Sequence, residues 1–401
     1  MKYIVILCDG IADEPLEELG GRTPLEAART ENMDRLAKSS EIGMVQTVPD
    51  GMAPGSDTAN LSVIGYDPRK YYTGRSPLEA LSIGAPMEPS DVSFRCNLVT
   101  LSEEEENYED RHILDHSSDE ISTEEAAELI RALSEGLKRD GYTFYVGTSY
   151  RHLLIQKNGT VVELTAPHDI LTKRIGEYLP EDEVLREMMI KSYDILKDHP
   201  INVKRRAEGK NPANSAWFWG AGTRPMLTSF EEKNGVKGAM ISAVDLLKGI
   251  AAGAGMHNII VEGANGGLNT NYSGKAEAAV KALTEDGFDF VYVHIEAPDE
   301  MGHQGSVERK IQAIENIDEK IIGPVNRALD AEGTAYRMLI LPDHPTPIRV
   351  RTHTSDPVPY LLYDSTKAMD GMDTYSEKTG RETGIFEKEG YHLIDHLLSV
   401  K

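Results

Sequence analysis

The chain has 401 residues, of which 40% are hydrophobic and 27% charged, a composition typical of a globular protein of two or three domains. Its 42 basic and 66 acidic residues give a formal net charge of −24, which disfavours binding to nucleic acids and to anionic membrane surfaces. Two cysteines, Cys8 and Cys96, cannot build a disulfide framework and are typical of a reducing compartment. Since neither a signal peptide nor an apolar run of about 18 residues is evident, we expect a cytoplasmic protein.

The predicted elements alternate between buried strands and amphipathic helices at both ends of the chain. Short apolar runs rich in β-branched residues predict strands over 3–7, 258–261, 290–295, 337–341 and 359–362. Helical periodicity predicts helices over 23–39, 59–64, 239–252, 274–286 and 306–330. This alternation predicts an α/β domain with a mainly parallel sheet flanked by helices, in which ligands bind beyond the carboxyl ends of the strands.

The middle of the chain has a different pattern. Strands are predicted over 92–101, 143–148, 152–156 and 161–164, with a hairpin turn at Asn158-Gly159. Prolines near 86–89 and the pair Asn234-Gly235 indicate boundaries. We therefore predict a catalytic domain formed by residues 1–88 and 237–401, and an inserted α/β domain formed by residues 89–236.

Four groups of polar residues follow predicted strands or lie in the next loop: Asp9, Asp299 with His303, the pair Asp343-His344, and His353. Each has an ordinary structural interpretation, as a turn residue, a helix cap or a surface histidine. Together they would meet at one edge of a parallel sheet, where carboxylate and imidazole ligands suit divalent metal ions. Two such ions could clamp the attacking and leaving oxygens of a phosphoryl transfer.

Ser56 is the candidate nucleophile. It precedes the short predicted helix over 59–64, where exposed amides favour an anion. A serine hydroxyl needs a base or a metal to become nucleophilic. The alternative is that Ser56 or Asp57 only caps the helix.

These elements occur in one order: Cys8-Asp9-Gly10, Gly55-Ser56-Asp57, the run from Pro298 to His303, Asp343-His344, and Thr352-His353-Thr354. In this combination the chain resembles, essentially end to end, the cofactor-independent phosphoglycerate mutases of the shorter, archaeal type within the alkaline phosphatase superfamily. The resemblance implies an alkaline-phosphatase-like domain, with the inserted domain acting as a substrate-binding lid that excludes water.

The resemblance also implies residue roles. Ser56 would be transiently phosphorylated while 2-phosphoglycerate and 3-phosphoglycerate interconvert, without 2,3-bisphosphoglycerate. One metal ion would be held by Asp299, His303 and His353, and the other by Asp9, Ser56, Asp343 and His344. Manganese is the family's usual ion, and magnesium, zinc or cobalt are alternatives. Substrate contacts are expected from basic residues that match less closely: Arg95, Arg151 and Lys248.

Two segments depart from the family pattern, because the runs Trp217–Gly222 and Asp115–Asp119 lack an arginine usual in each. A phosphotransferase acting as a homoserine kinase is therefore the main alternative, followed by a metal-dependent phosphatase and by a non-enzymatic metal-binding protein. A kinase of this kind would have to pass phosphate through Ser56, because Ser273-Gly274-Lys275-Ala276 falls short of a P-loop.

Overall fold

The computed structural model describes residues 1–399. The strands are, in chain order, β1 (Lys2–Cys8), β2 (Glu41–Val45), β3 (Val92–Leu101), β4 (Ile113–Asp115), β5 (Tyr142–Thr148), β6 (Arg151–Gln156), β7 (Ser215–Thr223), β8 (Gly238–Ile241), β9 (His257–Ile259), β10 (Phe290–Ile295), β11 (Tyr336–Leu341), β12 (Val358–Asp364) and β13 (Phe386–Glu387). No helix within residues 1–399 has the length and hydrophobicity that crossing a bilayer requires.

The α-helices are, in chain order, α1 (Pro24–Ala27), α2 (Glu31–Ala37), α3 (Ser56–Val63), α4 (Pro68–Tyr71), α5 (Arg75–Ser82), α6 (Thr123–Gly136), α7 (Glu183–Leu196), α8 (Pro200–Ala207), α9 (Phe230–Asn234), α10 (Asp245–Gly253), α11 (Tyr272–Thr284), α12 (Ala297–His303), α13 (Val307–Ile317), α14 (Gly323–Ala331), α15 (Glu377–Glu382) and α16 (Leu393–Leu398). A π-helical turn, Asp318–Ile322, joins α13 to α14. Short 3-10 helices are Glu17–Leu19, Tyr108–Asp110, Pro167–Ile170, Ile175–Tyr178 and Gly390–His392.

These elements form two units. The first comprises residues 1–72 and the described residues from 227 onward, and the second comprises Thr73–Met226. The second unit therefore begins and ends earlier in the chain than the predicted limits of 89 and 236. Helix α5 joins the second unit because its Ser76 hydroxyl donates to the Ser93 carbonyl of β3 at 2.9 Å. Helix α9 stays in the first unit because Phe230 packs on Phe290 of β10, with ring centroids 4.6 Å apart.

The first unit contains an eight-stranded sheet in the order β13-β2-β12-β11-β1-β10-β8-β9. Strand β1 pairs in parallel with both β10 and β11, and β10 pairs in parallel with β8. This confirms the predicted α/β fold with a mainly parallel sheet. Strand β12 is antiparallel to both of its neighbours, so Asp364 at its end lies at the opposite edge from Asp9 and Asp343.

Helices cover both faces of this sheet, so its central strands are apolar on both sides. Residues Ile4 to Cys8 of β1 are fully buried. Helix α11 presents Ala276, Ala279 and Ala282 to the core at the three-residue spacing of a helix face. The small side chains allow the helix to pack closely on the sheet, which holds the strand ends that carry Asp9, Asp299 and Asp343.

Several predicted boundaries were wrong for local reasons. The segment predicted as one helix over 239–252 is strand β8 followed by α10, because burial beside β10 favours a strand over 238–241. The helix predicted over 23–39 is divided into α1 and α2 by an extended Ala28, with ψ 152°. The strand predicted over 161–164 does not form, and the hairpin turn lies between β5 and β6 instead of at Asn158-Gly159.

The second unit is an antiparallel sheet with helices. Its strand order is β4-β3-β6-β5, and β7 also pairs with β3. The side chains of β3 are buried throughout, and α6 and α7 contribute Leu129, Leu133, Leu185 and Met189 to the same core. The unit therefore has an apolar core of its own.

Candidate active site

Three neighbouring strands carry the acidic residues of the candidate site. Asp9 follows β1 and Asp343 follows β11, while Asp299 lies on α12, which begins just after β10. Because β1 pairs in parallel with both β10 and β11, the three strands end at one edge of the sheet. All three carboxylates are buried there.

One group of possible metal ligands comprises Asp9, Asp343 and His344, whose ligand atoms lie within 4.8 Å of one another. His344 Nε2 is 3.6 Å from Asp9 Oδ1 and 3.3 Å from Asp343 Oδ2. Asn60 Nδ2 donates to Asp343 Oδ2 at 2.8 Å, and the amide of Gly10 donates to Asp343 Oδ1 at 3.3 Å. Backbone and side-chain donors thus fix the orientation of Asp343.

A second group comprises Asp299, His344 and His353, again within 4.8 Å. His303 also belongs to this cluster, because its Nε2 lies 3.1 Å from Asp299 Oδ2 and 3.1 Å from His353 Nε2. His303 Nδ1 donates to the Arg351 carbonyl at 3.0 Å, which leaves Nε2 directed at the cluster. An imidazole whose other nitrogen is bound to a carbonyl is the usual arrangement of a metal ligand.

Ser56 is the first residue of α3, and its Oγ lies 3.1 Å from His344 Nε2. The N-cap position is occupied by Gly55, which makes no side-chain capping bond. The hydroxyl of Ser56 is therefore directed at the histidine and the carboxylates. The capping alternative considered from the sequence does not describe this serine.

The electrostatics of the cluster fit a divalent cation. Burial and the nearby charges of Asp343 and Asp299 raise the pKa of Asp9 well above its usual range. Asp9 Oδ1 is buried and has no hydrogen-bond partner, an arrangement that is costly unless a cation binds there. Burial opposes ionisation of Asp299, but hydrogen bonds from His303 and His353 hold its pKa well below the usual range. Oxygen and imidazole donors of this kind suit a hard or borderline metal ion.

Sequence reasoning missed His294, which lies inside the apolar strand β10. Its Nε2 donates to Asp9 Oδ2 at 2.8 Å, and its Nδ1 accepts from the Ser242 hydroxyl at 3.1 Å. Burial lowers the pKa of His294 to about 3, so the ring is neutral and can only donate from one nitrogen. The signal that could have identified it is a histidine near the end of an otherwise apolar strand.

The three basic residues predicted to contact substrate are divided between the two units. Lys248 lies on α10 of the first unit and pairs with Asp245 at 3.2 Å. Arg95 and Arg151 lie on the second unit, where Arg95 is buried, pairs with Glu79 at 3.0 Å and stacks on Trp219 at 4.3 Å. Arg151 is exposed and lies 5.3 Å from the centre of the Tyr150 ring. Their substrate contacts remain predictions.

The two segments that depart from the family pattern have structural roles in the second unit. Trp217 is buried in the core and donates from Nε1 to the Thr165 carbonyl at 2.8 Å. The Arg95 guanidinium lies over the ring of Trp219. The His168 ring also contacts Trp219, with ring centroids 5.1 Å apart. Asp115 accepts hydrogen bonds from the amide and hydroxyl of Ser117, both at 2.8 Å.

Comparison with known proteins indicates the family of this chain. Residues 37–202 match a family model described as 2,3-bisphosphoglycerate-independent phosphoglycerate mutase. The chain is 48% identical over 403 residues to a probable 2,3-bisphosphoglycerate-independent phosphoglycerate mutase of Geobacter sulfurreducens, covering 99% of this chain and 100% of that protein. It is 46% identical over 407 residues to the corresponding mutase of Methanosarcina barkeri, with both chains fully covered.

Solved structures agree as well. A protein from Pyrococcus horikoshii superposes with a TM-score of 0.83 at 32% identity, covering 100% of this chain and 98% of that one. A cofactor-independent phosphoglycerate mutase from Thermoplasma acidophilum superposes with a TM-score of 0.66 at 29% identity, covering 99% of both chains. This chain therefore belongs to the 2,3-bisphosphoglycerate-independent phosphoglycerate mutase family.

Proposed function

We propose that this protein interconverts 2-phosphoglycerate and 3-phosphoglycerate through transient phosphorylation of Ser56, without 2,3-bisphosphoglycerate. The observation that carries the proposal is the position of Ser56 Oγ, 3.1 Å from His344 Nε2, beside buried carboxylates of which Asp9 keeps one unpartnered oxygen. The mutases that the chain resembles over its whole length share this named activity.

Two divalent ions would be held by the clustered ligands. Asp299, His303 and His353 would bind one, and Asp9, Ser56, Asp343 and His344 the other. The distances support this division, although His344 lies close to Asp299 and His353 as well. Manganese fits the mixed oxygen and nitrogen donors, as do magnesium, zinc and cobalt. When bound, such ions neutralise the substrate phosphate and lower the pKa of a coordinated hydroxyl.

The chain's own residues then account for two displacements. Ser56 Oγ forms a bond to phosphorus while the bond from phosphorus to the glycerate oxygen breaks, and the proton lost by Ser56 is balanced by one gained on the departing oxygen. The other glycerate hydroxyl next attacks the phosphoserine, which reverses this exchange and regenerates Ser56. The amides at the start of α3 stabilise the negative charge near Ser56 throughout.

Glycerate must be retained between the two displacements, because water would convert the mutase into a phosphatase. We propose that the second unit serves as the lid and binds the substrate anion through Arg95 and Arg151, with Lys248 contributing from the first unit. Burial lowers the pKa of Arg95, Glu79 opposes this shift, and the nearby charges of Arg75 and Arg151 add to it. The proximity of these three cations supports the role of this region in binding an anion. The two-cysteine composition favours a cytoplasmic location.

The deciding experiment is a set of parallel assays of purified protein with Mn²⁺. The first supplies 3-phosphoglycerate without 2,3-bisphosphoglycerate and follows 2-phosphoglycerate by ³¹P NMR, which also detects released phosphate. The second supplies ATP and homoserine. We expect turnover in the first assay with little free phosphate. Turnover only with homoserine would identify the phosphotransferase alternative, and phosphate release alone would identify a phosphatase.

A further inference from the structure

Lys310 is a fully buried lysine next to the candidate site. It lies on α13, and its Nζ donates to Asp13 Oδ2 at 2.7 Å, to the Thr346 carbonyl at 2.9 Å and to the Ala12 carbonyl at 3.4 Å. The three protons of the ammonium group are thus directed at three acceptors. None of these acceptors is a proposed metal ligand.

The acceptors belong to the two loops that carry Asp9 and Asp343. Ala12 and Asp13 follow Asp9 after β1, while Thr346 follows Asp343 and His344 after β11. The loops are also joined directly, because the Ile348 amide donates to Asp13 Oδ2 at 3.1 Å and the Thr346 amide donates to the Ala12 carbonyl at 3.2 Å. Lys310 and Asp13 therefore lie at the junction of the two loops.

Thr346 extends this junction to the third acidic residue. Its hydroxyl donates to Asp299 Oδ1, and it also lies 3.3 Å from His344 Nδ1. One threonine thus contacts Lys310 through its carbonyl and two proposed metal ligands through its side chain. The carboxylates at the ends of β1, β10 and β11 are connected through this short network.

Glu377 holds the backbone of Asp13, whose side chain pairs with Lys310. Its Oε1 accepts from the Asp13 amide at 3.0 Å, and its Oε2 accepts from the Thr23 hydroxyl at 2.7 Å. Glu377 and Asp13 are both buried. The position of the Asp13 backbone is therefore set independently of the metal ligands.

We propose that Lys310 and Asp13 are a positioning pair that sets the spacing of Asp9, Asp299 and Asp343 and thereby determines the affinity of the site for divalent metal. The inference rests on the proposed function, since it requires that the cluster binds metal. A buried ion pair contributes little net stability compared with apolar packing, but it provides directional bonds to three acceptors. Outer contacts of this kind typically change metal affinity by about 10- to 100-fold.

The test is a calorimetric titration of metal-free full-length protein with Mn²⁺ alone. We expect Lys310→Met to weaken Mn²⁺ binding by about 10- to 100-fold and Thr346→Val by about 10-fold, since each removes part of the network without removing a ligand. In the mutase assay, both variants should need more Mn²⁺ for half-maximal rate, and excess Mn²⁺ should restore part of the lost turnover.

Arg337→Met is the matched control. Arg337 pairs with Asp364 at 2.8 Å in the same sheet, at the edge opposite the candidate site. The control should lose stability but bind Mn²⁺ within about twofold of the unchanged protein, because this pair contacts neither loop.

Each result has a separate meaning. Unchanged Mn²⁺ affinity in folded Lys310→Met would overturn the positioning role while leaving the proposed function intact. If Lys310→Met does not fold, the double variant of Lys310→Met with Asp13→Asn decides, because it leaves no unpaired buried charge, and unchanged affinity in that variant overturns the inference. Failure of the unaltered protein to bind Mn²⁺ would overturn both the inference and the proposed function.

Discussion

Asp9 lies in surroundings that are unfavourable for a carboxylate without a cation. One of its oxygens accepts from His294, and the other is buried without a partner. Burial raises the pKa of Asp9, and the negative charges of Asp343 and Asp299 nearby raise it further. A divalent ion would supply the missing partner and reverse this shift. The same ion would lie close to Ser56 Oγ through the shared neighbour His344.

Ser56→Ala tests the nucleophile at the scale of one residue. We expect phosphoryl transfer to fall by about 10³-fold or more, because the substitution removes the hydroxyl proposed to accept the phosphoryl group. Mn²⁺ binding should largely persist, since the carboxylates and histidines remain. The measurement pairs ³¹P NMR of the mutase reaction with calorimetric Mn²⁺ titration. Retained transfer in this variant would remove Ser56 from the mechanism.

At the scale of elements, the site depends on the close approach of the loop after β1 to helix α12. Gly10 has a φ of 62°, and a Cβ at this position would lie 2.7 Å from Asp299 Cα and 2.6 Å from Thr346 Oγ1. A glycine is thus required both by its backbone conformation and by its neighbours. This contact brings Asp9 and Asp299, which come from different strands, into one cluster.

Gly10→Ala should therefore separate these two elements. We expect a loss of about 2–4 kcal/mol in the free energy of unfolding, from left-handed strain and overpacking together. Mn²⁺ binding should weaken as well. Denaturant unfolding measures the first effect and calorimetry the second. Gly84→Ala is the control, because Gly84 also has a positive φ of 68° but no atom lies within 4 Å of its added Cβ. Equal losses in both variants would argue against the close approach.

The hairpin of β5 and β6 gives a pH-dependent prediction in the second unit. His152 is buried, and its Nδ1 accepts from the Gly147 amide across the hairpin at 3.1 Å. Burial lowers the pKa of His152 from 6.5 to about 4, so the unfolded chain binds its proton first as the pH falls. The stabilisation from a neutral His152 is complete above about pH 6.5 and is lost between about pH 6.5 and 4.

His152→Asn should remove this dependence, because asparagine does not titrate but can still accept from the Gly147 amide. As the pH falls through this range, titration of His152 should lower the unfolding free energy of the unaltered protein by about 3 kcal/mol, since a shift of one pKa unit corresponds to about 1.4 kcal/mol. The variant should not show this loss. The measurement is denaturant unfolding at a series of pH values, followed through the tryptophans of β7. Parallel curves for the two proteins would contradict the assignment.

At the scale of the whole molecule, the protein has a net charge of −24, and the substrate proposed for it is also an anion. Only Asp9, Asp299 and Asp343 are proposed as acidic metal ligands, so two divalent ions would outweigh their charge. Most other acidic residues lie on the surface, where water solvates them. The overall charge therefore affects solubility and disfavours binding to nucleic acids, whereas the sign of the potential at the site would depend on the proposed metal ions.

Chelation tests this dependence on metal. Removing divalent ions should abolish mutase turnover, and Mn²⁺ should restore it, because uncompensated carboxylates would repel the substrate phosphate. Thermal unfolding should shift to lower temperature after chelation and recover with Mn²⁺, since a ligand that binds only the folded state stabilises it. Turnover that is insensitive to chelator would contradict the two-metal proposal.

Local sequence patterns were sufficient for the central strands and for the residues after them. The apolar runs at 3–7, 290–295 and 337–341 predicted β1, β10 and β11 because strands buried on both faces have few polar residues. The order of Asp9, Ser56, Asp299, Asp343 and His353 indicated the family. By contrast, the segment 239–252 was assigned as one helix because a short buried strand and a buried helix have similar composition.

The sequence by itself determined the fold class, the family and the residues that converge at one edge of the sheet, since these follow from local periodicity and from the order of short motifs. Only the tertiary structure revealed the antiparallel direction of β12, the contact of His294 with Asp9 and the junction formed by Lys310, Asp13 and Thr346. The pairing of β12 with β2, for example, joins Leu362 to Glu41, and the bond between Lys310 and Asp13 joins residues 297 positions apart in the chain. Such contacts have no local signature, because they depend on how strands and helices pack.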